Sequence, residues 1–153
     1  MNRPVFRPET PPPGAAPVRR RETLSAPEAW WLRALRLWDG PPDGRVELAE
    51  DLTIRFGAAR AKRLLARFGE LFDLVSQTAR RPLAIHAPSC DCDCVGSDEA
   101  VFALFCSTAT HGPREDAMMI ACLILRPDVA PLAVSLAQSL GLELDRSLRA
   151  SVR

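Results

Sequence analysis

Nine consecutive residues hold most of the side chains in this sequence that can bind a soft metal ion: His86-Ala87-Pro88-Ser89-Cys90-Asp91-Cys92-Asp93-Cys94. In an extended backbone alternate side chains point the same way, so Cys90, Cys92 and Cys94 would project from one face. His86 stands four residues before Cys90 and can return to that face through a turn at Pro88. Three sulfurs and one imidazole are the ligand count of a closed tetrahedral zinc site. The same soft donors suit copper(I) or an iron–sulfur cluster. The C-x-C spacing differs from the C-x-x-C usual in zinc knuckles, and no second C-x-x-C pair occurs in the sequence. Spacing alone therefore leaves the metal open, with metal-free reduced cysteines and a redox switch as alternatives.

Asp91 and Asp93 discriminate among thiol chemistries. Carboxylates next to a thiol disfavour the thiolate, which opposes a nucleophilic or peroxide-sensing cysteine. A bound cation reverses the sign and makes the same acidic setting favourable. Cys106 and Cys122 lie within helical apolar stretches and read as small buried hydrophobes, although either could lend a further sulfur from beneath the loop. His111, in Thr110-His111-Gly112-Pro113, reads as a solvated turn residue. Two acidic pairs, Asp98-Glu99 and Glu115-Asp116, fall in the first turns of predicted helices, where capping and the helix dipole account for them. No G-x-S-x-G, phosphate-binding glycine loop, H-E-x-x-H or dinucleotide fingerprint occurs, and no catalytic residue is assigned.

The elements that must hold this loop read as helices. Ser25-Ala26-Pro27-Glu28 is a capping box opening a first helix that runs to about Trp38, ended by Gly40-Pro41-Pro42. Trp30, Trp31 and Trp38 with Leu32, Leu35 and Leu37 require burial on more than one side or an aromatic patch for a protein partner. A second helix is predicted over Arg45–Phe56, with Gly57 as its stop, and a third over Ala58–Thr78 with Leu64, Leu65, Phe68, Leu71, Phe72 and Val75 on one face. A fourth begins near Ser97. A fifth, Arg114–Leu125, has an uncharged stretch from Ala117 and is expected to be the most central element. A sixth spans Val129–Leu140, with Gly141 as its end. No strand is expected. The fold class is thus all-α, an irregular bundle of about six short amphipathic helices with the cysteine-rich loop 82–96 in its middle.

Residues 45–68 loosely resemble a helix-turn-helix, whose second helix would offer Arg60, Lys62, Arg63 and Arg67 to nucleic acid. Thr53 stands where the turn glycine is usual. Overall charge argues against that role: twenty basic and nineteen acidic residues leave +1. Nineteen of the basic residues are arginine, which with twenty-two alanines suggests a GC-rich bacterial coding sequence.

Residues 1–23, rich in proline and carrying Arg19–Arg21, are expected to be a mobile tail, 24–148 the helical domain, and 149–153 a second tail. No secretory or membrane-spanning segment is read, so a cytoplasmic setting with reduced cysteines is the expectation. The functional expectation is a non-enzymatic protein holding zinc or an iron–sulfur cluster through His86, Cys90, Cys92 and Cys94. The alternative is a helical adaptor with incidental cysteines.

Overall fold

A computed structural model of the chain describes residues 11–151, with side chains through Ser147. Six α-helices carry the fold: α1 (Ala26–Asp39), α2 (Pro42–Phe56), α3 (Ala58–Thr78), α4 (Ser97–His111), α5 (Arg114–Ala121) and α6 (Ala130–Ser151). The all-α bundle expected from the hydrophobic periodicity is the observed architecture. At the start of α1 the Ser25 hydroxyl accepts from the Glu28 amide, and the Glu28 carboxylate accepts from the Ser25 amide, so both halves of the capping box form. Gly57, at φ +85°, is a one-residue corner between α2 and α3 in the left-handed region that favours glycine. The α3 stripe buries Ala61, Leu64, Phe68, Leu71, Phe72 and Val75.

The central element is α4, not α5. It packs on α1, α5 and α6, and its Phe102, Phe105 and Cys106 are fully buried. The expectation for the fifth helix equated absence of charge with burial. In fact α5 stops at Ala121, buries Ala117 and Ala121, and leaves Met119 71% exposed. Beyond it the chain turns so that Leu125 inserts into the core, while the Arg80 amide donates to the Ile124 carbonyl.

Gly141 does not end α6. A side chain at this position would collide with Thr110 of α4, so the glycine permits close helix approach within a helix that continues through Ser151. The expected tail from 149 is therefore helix over 149–151.

A two-stranded antiparallel sheet, absent from the sequence reading, joins β1 (Pro17–Arg20) to β2 (Cys94–Gly96), pairing Pro17 with Gly96, Arg19 with Val95 and Arg20 with Cys94. The tail expected over 1–23 is thus corrected for 11–23; its first ten residues lie outside the described region. The physical reason is the amino end of α4. Its N-cap, Gly96, has no side chain to offer, and the first amides need acceptors. The strap formed by residues 14–21, which pairs with β2, supplies them: Ser97 N–H donates to the Ala16 carbonyl and Asp98 N–H to the Gly14 carbonyl. Gly14 itself sits at φ +84°, and a side chain there would strike the Asp98 carboxylate. Among the described residues no helix is long and apolar enough to cross a membrane.

Candidate metal centre

Burial alternates along the cysteine segment, but of the four expected ligands the structure gathers His86, Cys92 and Cys94 and not Cys90. Cys90 N–H donates to the Ala87 carbonyl at 3.0 Å, closing a turn over Pro88-Ser89 that reverses the chain after His86. Beyond it Asp91 and Asp93 are exposed, while Cys90, Cys92 and Cys94 are half-buried on the inner side. Ring nitrogen and sulfurs of His86, Cys92 and Cys94 all lie within 4.8 Å of one another, a group that could hold a metal ion. His86 Nε2 is 3.5 Å from Cys94 Sγ. Ligands of one tetrahedral zinc, at about 2.3 Å for sulfur and 2.0–2.1 Å for nitrogen, stand about 3.5 Å apart. Cys90 lies outside that group, but its Sγ is 3.0 Å from Cys92 Sγ.

What aims the imidazole was missed in the sequence. His86 Nδ1–H donates to Glu99 Oε1 at 2.8 Å, and the His86 amide donates to the same oxygen. With Nδ1 carrying the proton, Nε2 presents its lone pair toward the thiols. Glu99 is fully buried and held by Arg36 of α1, whose Nη2 donates to Oε2 at 2.6 Å and Nε to Oε1 at 3.3 Å. Arg36 Nη2 also donates to the Cys94 carbonyl at 3.0 Å, so one guanidinium fixes both the histidine's partner and the strand carrying a thiol. Burial opposes the Glu99 charge, but the hydrogen bonds from Arg36 and His86 outweigh it and hold the carboxyl below its ordinary pKa.

The preceding residue works in parallel. Asp98 takes a two-pronged ion pair from Arg81, at 2.7 and 2.9 Å, and accepts from the Ala84 amide at 2.8 Å. The attribution of Asp98-Glu99 to capping is therefore corrected. The strap caps this end of α4, freeing both carboxylates to clamp residues 81–86. Their one sequence signal was position, within five residues of Cys94.

The other candidates lie elsewhere. Cys106 is a core residue whose burial pushes its thiol pKa well up, and Cys122 is half-buried outside the ligand group. His111 is 3.6 Å from Asp145 of α6, not on the cysteine loop. Arg63 and Arg67 reach Glu143 of α6, at 3.4 and 3.2 Å, while Arg60 and Lys62 are exposed on α3. The single-residue corner at Gly57 is shorter than the three to four residues of a helix-turn-helix turn. Trp31 is buried, and Trp30 and Trp38 are half-buried against Phe68, so this helix is covered on more than one side.

No protein-family model, curated protein or solved structure matches the chain.

Proposed function

We propose that the protein binds one thiophilic metal ion, zinc(II) in preference to a cluster, through His86 Nε2, Cys92 Sγ and Cys94 Sγ, in a structural or sensing role without catalysis. The observation that carries this reading is the Arg36–Glu99–His86 chain, which fixes the imidazole with its free nitrogen toward two thiols. Histidine ligands of metals characteristically give their other N–H to a carboxylate or carbonyl in this way.

Crowding of the donors favours a single ion, because the cysteines of a cluster divide among several irons and must stand further apart. Asp91 and Asp93 suit a cation rather than a free thiolate. The fourth position borders on the Cys90 thiol, which favours a structural or sensing ion over one holding a reactive water. Such a site needs reduced thiols, which fits a cytoplasmic setting.

Elemental analysis of protein purified without oxygen tests the reading. The expected content is about one zinc per chain, lost in Cys92→Ser and His86→Ala. Metal-free protein whose thiols all bind no added zinc would overturn it.

A further inference from the structure

We infer that Cys90 and Cys92 form a hydroperoxide-reactive dithiol whose oxidation to a disulfide expels the metal. The inference rests on the metal reading above and adds the class of signal to which the site responds. The geometry gives Cys92 two competing partners. Its sulfur belongs to the ligand group with His86 and Cys94, yet stands 3.0 Å from Cys90 Sγ, which lies outside that group. Closing this gap to a disulfide of about 2.05 Å requires a shift of about 1 Å.

The three ligands are unequally held. His86 is fixed at its amide and its ring by Glu99, and Cys94 lies in β2, paired with Arg20 and tied through its carbonyl to Arg36. Residues 91–93 belong to no helix or strand, and their backbone tie to the strap is the hydrogen bond from Arg21 N–H to the Asp93 carbonyl. Cys92 is thus the ligand able to leave. All three cysteines of the loop are only half-buried, which leaves the segment open to a small oxidant.

The step balances with a hydroperoxide as the oxidant. The ion that Cys92 would hold offsets the charge of Asp91 and Asp93, which oppose such chemistry in the metal-free loop, so that the Cys90 sulfur, on losing its proton, attacks the terminal peroxide oxygen. The O–O bond breaks, an alcohol or water leaves, and Cys90 becomes a sulfenic acid. The Cys92 sulfur, a thiolate on the metal, then attacks the Cys90 sulfur. The S–S bond forms, and the sulfenic hydroxyl leaves as water with a proton from solvent. Two electrons pass from the two sulfurs to the peroxide, and the ion, unchanged in charge, loses one of its three protein ligands. Asp91 and Asp93 disfavour anionic oxidants at this loop, which selects a neutral peroxide over an anionic disulfide such as oxidised glutathione.

The test uses the full chain loaded anaerobically with one equivalent of zinc(II), as wild type and as Cys90→Ser, with hydrogen peroxide as the probe. A chromogenic chelator reads released zinc, and mass spectrometry after alkylation maps the disulfide. In the wild type one zinc should leave for each Cys90–Cys92 disulfide, and a dithiol reductant should restore binding. Cys90→Ser should still take up zinc and release it at least about tenfold more slowly. Release from Cys90→Ser at the wild-type rate, a disulfide mapping to Cys92 and Cys94, or failure of Cys90→Ser to bind zinc would each overturn the inference. Failure of the wild type to bind zinc before peroxide is added would instead remove the metal reading on which it stands.

Discussion

The two halves of α4 both bury side chains and are oppositely built. In its first turn Asp98 is 3% exposed and Glu99 not at all, and each has charged and amide partners on other elements. From Phe102 onward the same helix buries Phe102, Phe105, Cys106 and Ala109 among apolar neighbours. The apolar half holds the bundle together through area removed from water, a contribution that tolerates small displacements. The polar half contributes position, because a hydrogen-bonded carboxylate in a dry setting accepts few geometries. Burial alone does not say what a residue does. One half of the helix makes the fold, and the other sets a histidine against two thiols.

Substitutions in the two halves should separate stability from metal binding. Glu99→Ala leaves the Arg36 charge buried without its partner and should cost about 3–5 kcal/mol in urea unfolding, as should Phe102→Ala by opening a cavity, at about 3–5 kcal/mol. The pair should part on zinc affinity, which falls in Glu99→Ala and stays near wild type in folded Phe102→Ala. Equal loss of zinc binding in both would erase the distinction between the halves.

A gentler change isolates the orienting role. Glu99→Gln keeps the shape but loses the charge, and should weaken zinc binding about 10–100-fold in chelator competition.

Cys106→Ser places a hydroxyl in the apolar half and should cost about 1–3 kcal/mol with zinc content unchanged. In the wild type the Cys106 thiol, kept neutral by burial, should resist alkylation that modifies the loop cysteines of metal-free protein. Gly14→Ala should cost more than the about 1–2 kcal/mol of its left-handed backbone, because its side chain would strike the Asp98 carboxylate. It should also loosen residues 81–86 in hydrogen exchange by displacing Asp98.

The same contrast explains what could be read in advance. Periodicity marks apolar faces, so α3 was legible to its end residues, and local hydrogen bonding made the Ser25 capping box legible. The loop was also legible in part: alternation placed the three cysteines together, and Pro88 marked the turn returning His86. What escaped is long-range and polar. Arg36 and Glu99 meet across 63 positions, and nothing in either local sequence announces the pairing. Asp98 and Glu99 satisfied a local rule for helix amino ends, and the strap that displaced them from that role read as a mobile proline-rich segment. Gly141 had the sequence meaning of a stop but the spatial meaning of a close contact with Thr110.

On the proposed reading the first turn of α4 prepares His86, Cys92 and Cys94 for one tetrahedral ion. Titration of anaerobic metal-free protein with cobalt(II), followed by absorption, tests it most directly. Tetrahedral cobalt with thiolate ligands gives intense visible bands and near-ultraviolet charge transfer. Saturation should come at about one equivalent, with both features much reduced in Cys92→Ser. A weak spectrum typical of octahedral cobalt, or bands that persist unchanged in Cys92→Ser, would mean that these residues do not hold the ion.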